Sequence, residues 1–127
     1  MGKQLMPRTL ALRISAVMGF LAVALGAFGA HALKGILDQN QTVETWKTAA
    51  FYHFIHAVML FVLASRKPLL RGPWLCFLLG IFIFSGSLYL LAVTNLKWLG
   101  AITPLGGISF LTGWAWLALS ARKYQDS

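Results

Sequence analysis

The stretch Leu10–Leu33, LALRISAVMGFLAVALGAFGAHAL, decides the fold class. It is apolar almost throughout, with Arg13 as the one charged interruption near its start. About 20 such residues in a helix cross the hydrocarbon core of a bilayer, and in lipid a helix satisfies its own backbone groups. The stretch therefore predicts a transmembrane helix. Three more apolar runs follow: about Thr48–Ser65, bounded by Lys47 and Arg66, then about Pro73–Val93, then about Trp98–Ala121. The expected fold is all-α, a compact bundle of four transmembrane helices forming one domain over residues 1–127.

Composition points the same way. Of 127 residues, 58% are hydrophobic and 11% charged, with a mean hydropathy of +0.72. Soluble domains carry roughly a quarter charged residues. Too little polar surface is present to wrap a water-soluble core, so the lipid bilayer is the expected partner. The net charge of +8 sits in short clusters between apolar runs, without the polar surface that reading nucleic acid requires. No nucleic-acid partner is expected. Cys76, the single cysteine, lies in an apolar run, cannot form an intrachain disulfide, and reads as a small hydrophobe.

Lysine and arginine set the expected orientation. Lys3, Arg8, Arg13, Arg66, Lys67, Arg71, Arg122 and Lys123 fall on one side of a four-span chain; Lys34, Lys47 and Lys97 fall on the other. The positive-inside rule makes the side with eight cytoplasmic, with both termini, in a multi-pass plasma membrane protein. Trp46, Trp74 and Trp98 lie near span ends, where indole rings favour the interface. The first run also has a basic start and Ala30-His31-Ala32, a small-x-small pattern resembling a signal-peptide cleavage site. Its apolar stretch is longer than a signal core, so an uncleaved span is the expectation.

The connection from Lys34 to Lys47 is the longest and most polar. Gly35 is the expected stop of the first helix, and Thr42 or Asp38 the expected cap of a short helix carrying Glu44 and Trp46. Asn40-Gln41-Thr42 matches the glycosylation pattern, which has meaning only in a eukaryotic secretory pathway.

Two sets of residues stand out inside the spans. Ser15, Gly19, Ala22, Gly26 and Ala30 give the first helix small-xxx-small pairs, the pattern that lets helices approach closely in lipid. Packing within the bundle is the expectation, with a homo-oligomer seam as the alternative. The second set is polar: His31, Tyr52, His53, His56, Ser85, Ser87, Tyr89 and Thr103, all placed by topology in the outer half of the membrane. His53 and His56, three apart, share a helix face. Such groups either bond across helices, because an unpaired polar group in lipid is costly, or mark an ion, proton or ligand site.

The predicted spans contain no Asp or Glu, which argues against a carboxylate-driven proton pump. Three histidines without carboxylate or cysteine partners make a weak metal signature. Haem ligation by His31 with His56 is geometrically conceivable. A Gly-rich phosphate loop, HExxH and CxxC are all lacking. No cofactor is expected; a metal or haem would have to use these histidines.

The same segments carry a family resemblance. Gly26–Leu33 (GAFGAHAL), Thr48–Ala57 (TAAFYHFIHA), Phe84–Tyr89 (FSGSLY) and Leu99–Gly107 (LGAITPLGG) together resemble the family of small membrane proteins called DUF423. Their order and spacing cover about Gly26 to Trp114. That family includes bacterial inner-membrane proteins and is similar to a small eukaryotic transmembrane group. The resemblance implies a four-span plasma membrane protein and supplies no reaction, ligand or catalytic residue. His31 and His56 occupy its two histidine-bearing motifs, and His53 is less central to the pattern. The expected function is non-enzymatic, a structural or membrane-homeostasis role, with a second copy or a membrane partner protein as the candidate partners; the alternative is small-molecule, ion, metal or haem handling through the polar cluster.

Overall fold

The computed structural model describes residues 7–121. Lys3, Arg122 and Lys123, three of the eight basic residues assigned to one side, lie outside them. Among the described residues all regular structure is helical. Helix α1 (Arg8–Ala30) is followed by a short α2 (Lys34–Asn40) and by α3 (Val43–Ser65). Helices α4 (Arg71–Gly80) and α5 (Gly86–Thr94) are joined without a break by a π-helical turn, Ile81–Ser85. A 3₁₀ turn, Lys97–Ala101, then leads into α6 (Thr103–Leu119), which carries Pro104 in its first turn. Among the described residues, four helical stretches are long and apolar enough to cross a membrane: Arg8–Ala30, Val43–Ser65, Arg71–Thr94 and Lys97–Leu119.

Two details of the first connection differ from the sequence reading. Helix α1 stops at Ala30, with His31 as its C-cap, and Gly35 lies inside α2. Glu44 and Trp46 belong to the first turns of α3 rather than to a separate helix. Asp38 lies inside α2, while Thr42 does stand at the α3 N-cap. Its hydroxyl, however, donates to the Ala92 carbonyl of α5 instead of capping α3. Helix α3 therefore extends beyond its apolar run, and the exposed Glu44 pairs with Lys47 at 3.6 Å in its first turn.

Helix α3 is central, flanked by α1 and by the α4–α5 rod, and α6 packs on α4 and the π turn. Trp74, Phe77 and Leu60 are fully buried at the heart of the larger core, together with Ala11, Met18, Ile81 and Phe110. A smaller core of Leu37, Trp46 and Ala92 sits beneath α2. Phe20, Val23, Leu111 and Leu119 face outward, as side chains solvated by lipid do.

Glycines set the closest approaches. An added Cβ on Gly106 would collide with the Phe84 backbone, so α6 lies directly against the π turn. Gly80 meets the Phe110 ring, Gly113 the Phe77 ring and Gly29 the Trp46 indole. Along α1, Ala11, Ser15, Met18, Ala22 and Gly29 are buried. The expected small-residue face is thus only partly used: an added Cβ at Gly19 or Gly26 would meet nothing within 4 Å, and Ala30 is exposed.

Candidate functional site

Several polar side chains within the spans act as clasps between helices. Each follows from the cost of leaving a hydrogen-bonding group unpaired in lipid. The Nε2 atom of His53 lies 3.0 Å from the Met18 carbonyl of α1, and its Nδ1 lies 2.9 Å from the Tyr89 hydroxyl of α5. A carbonyl only accepts, so Nε2 carries the hydrogen, and in the neutral ring Nδ1 accepts from Tyr89. His53 thereby joins three helices through one side chain.

His56 adopts the opposite tautomer. Its Nδ1 donates to the Tyr52 carbonyl at 2.8 Å, one turn back on α3. That leaves Nε2 to accept the Trp114 indole N–H of α6 at 3.1 Å. The imidazole also stacks on Phe110, with centroids 3.7 Å apart, and meets the edge of Phe77. Both histidines are buried, and both nitrogens of each ring are engaged.

The remaining expected polar residues lie in separate places. Ser85 donates to the Ala49 carbonyl of α3 at 2.8 Å. Thr103 and Ser87 share a 2.6 Å hydrogen bond between α6 and α5, and Ser87 in turn donates to the Phe84 carbonyl. Tyr52 is part-exposed, with its ring near those of Phe84, His56 and Phe110. His31 is exposed at the end of α1. The structure thus brings His53 to Tyr89, His56 to Tyr52 and Ser87 to Thr103, and leaves His31 apart from His56.

Several clasps were not legible as such. Trp74 donates to Ser15, which donates to the Ala11 carbonyl, and this buried pair ties α4 to α1. The Trp46 indole N–H reaches the Leu25 carbonyl of α1 at 2.9 Å. Both indoles are buried against neighbouring helices, whereas Trp98 is 62% exposed. Ser109 donates to the Cys76 carbonyl, and Asn40 donates to the Ala92 and Val93 carbonyls. The Asn40 amide of the sequon is therefore committed to the end of α5. A mid-span Trp114 was the available signal for the His56 clasp, because an indole N–H in lipid needs an acceptor.

A metal or haem at His53 or His56 would have to displace these bonds. Among the described residues no three His, Cys, Asp or Glu side chains are grouped as metal ligands. The acceptor nitrogen of His53 takes the hydrogen bond of the Tyr89 hydroxyl, and that of His56 takes the Trp114 indole N–H.

Comparison with known proteins accords with this fold. A family model described as "Protein of unknown function (DUF423)" matches residues 25–107. The UPF0382 membrane protein YwdK of Bacillus subtilis is 45% identical over 118 residues, covering 87% of this chain and 94% of the relative. A UPF0382 membrane protein of Staphylococcus epidermidis, SERP0230, is 41% identical over 115 residues, covering 87% and 93%. The UPF0382 inner membrane protein YgdD of Escherichia coli K12 is 36% identical over 113 residues, covering 86% of each chain. No solved structure matches. A bilayer-embedded helical bundle with the motif order quoted above, matched along most of its length, belongs to the DUF423 family of membrane proteins.

Proposed function

We propose that this chain is a non-enzymatic, structural or membrane-homeostasis component of the plasma membrane, the inner membrane in a bacterium. The observation that carries the reading is the full engagement of both nitrogens of His53 and of His56 in bonds between or along helices. Side chains so committed act as fasteners, and neither ring keeps a lone pair free for a metal or a substrate proton. The distribution of eight basic residues against three supports cytoplasmic termini. A second copy or a membrane partner protein would meet the lipid-facing surfaces of α1 and α6.

The test is His53→Gln and, separately, His31→Gln combined with His56→Gln. Glutamine can donate and accept hydrogen bonds but neither titrates nor ligates metal well. Both variants should fold, each lost clasp costing about 0.6–2 kcal/mol. Metal and haem content, read by mass spectrometry and absorption, should not differ between the parent and either variant. Stoichiometric metal or haem in the parent, lost from a well-folded variant, would overturn the proposal.

A further inference from the structure

We propose that the groove between α1 and α3 holds one phospholipid bearing a phosphate diester and a primary ammonium, of the phosphatidylethanolamine class. The groove has a volume of about 540 Å³, within the ~300–1,000 Å³ range of small-molecule sites. Ala22, Gly26 and Gly29 form one wall and Ala50, Phe51 and Phe54 the other. Gly26 has open space where a Cβ would stand, and Phe51 and Phe54 are 61% and 50% exposed. The bundle leaves this slot for something outside the chain to fill.

Its dimensions and polarity select the occupant. Along α1 the slot runs from Ala22 to Ala30, about 12 Å at 1.5 Å per residue. One leaflet contributes about 15 Å of a 30 Å hydrocarbon core. The slot is therefore about one leaflet deep, apolar along its length, and charged where α2 crosses its end. A transmembrane helix from a second copy would run the full thickness, whereas the lining stops at mid-membrane. A single acyl chain beneath its headgroup has the matching profile.

The charged end carries both signs. Lys34 and Asp38 of α2 and Lys47 of α3 line the groove. Among the described residues Lys34 has no ion pair, and the Lys47–Glu44 pair is highly exposed at 69% and 87%, so it exchanges readily. Two ammonium groups suit a phosphate diester; Asp38 beside them suits a headgroup ammonium that donates hydrogen bonds. A purely anionic headgroup would leave Asp38 opposed by like charge.

The proposal goes beyond the structural reading and needs only the membrane-embedded bundle, so each can fail without the other. The full chain is reconstituted in nanodiscs containing equal parts phosphatidylethanolamine, phosphatidylglycerol and phosphatidylcholine, and retained lipid is identified by native mass spectrometry. One phosphatidylethanolamine should be retained per chain, several-fold over the other two. Gly26→Leu, which fills the slot, should reduce that retention several-fold, as should Lys34→Gln combined with Lys47→Gln. The lysine variant alters exposed side chains only, so it remains informative if the leucine variant misfolds. Asp38→Asn should abolish the preference over phosphatidylcholine, whose quaternary ammonium cannot donate. Retention in the mixing ratio, preference for phosphatidylglycerol, or chains cross-linked in pairs through Gly26→Cys with no lipid retained would each overturn the assignment.

Discussion

Replacing Gly106 by alanine should loosen the contact of α6 with the π turn, and the structure sets the size of the effect. A Cβ at this position would fall within collision distance of the Phe84 amide nitrogen and Cα. Those are backbone atoms held in a helical turn, so no side chain can rotate away; α6 itself must shift. Overpacking of a well-fitted contact costs typically about 1–3 kcal/mol. Alanine favours helix over glycine by up to about 1 kcal/mol, but a transmembrane segment remains helical when separated from its neighbours, so little of that gain offsets the clash. Gly107 is the internal control, since its added Cβ would meet only the Phe84 ring, at 3.9 Å. Gly26→Ala, with open space around it, is a second control. Titration with sodium dodecyl sulfate in mixed micelles, followed by tryptophan fluorescence, should show Gly106→Ala unfolding about 1–3 kcal/mol more easily than the parent, with both controls within about 0.5 kcal/mol. Coincident transitions for Gly106→Ala and Gly107→Ala would refute the close backbone approach.

Two further predictions concern orientation and the buried indole. A reporter fused after Ser127 should read cytoplasmic and one inserted at Gln39 should read outside; a cytoplasmic signal at Gln39 would reverse the assignment. Trp74→Phe and Ser15→Ala should each destabilise the bundle, and the double variant should cost less than their sum by about 0.6–1.7 kcal/mol, the range for membrane hydrogen bonds in double-mutant cycles. Strict additivity would mean that the Trp74–Ser15 bond contributes nothing.

The four spans were legible because apolar length alone specifies a crossing helix, and rotation about the helix axis does not enter. What depends on rotation was not legible. The sequence marks His53, Tyr89 and Trp114 as groups needing partners, but which helix each faces is set by packing of all four. Trp46 and Trp74 show the ambiguity: an indole near a span end satisfies its N–H equally well at the interface or on a neighbouring helix, and here the neighbours Leu25 and Ser15 provide the acceptors. The start of α3 was misjudged because Glu44, Thr45 and Lys47 lower the apolar content there, while helical hydrogen bonding continues past the hydrocarbon edge. On α1 the small residues were visible, but their division between a buried face and an open groove follows from where Trp46 lies, against Gly29 and clear of Gly26.

The clasps between α1 and α3 have a spacing that fixes more than proximity. Met18 and Leu25 are seven residues apart on α1, and so are Trp46 and His53, which reach their carbonyls from α3. Seven residues make two helical turns, so the antiparallel pair is pinned by two rungs in one register. The acceptors on these rungs are backbone atoms, and their side chains take no part in the bonds. Substitutions at Met18 or Leu25 therefore keep the acceptor atoms, and act on the rungs only through the core packing of the side chains they replace. Insertion or deletion of one residue between them turns one carbonyl by about 100° and moves it along the axis by about 1.5 Å, so that both rungs cannot form together. Along this seam the register is set by length, and the receiving positions enter the rungs only through their backbone carbonyls.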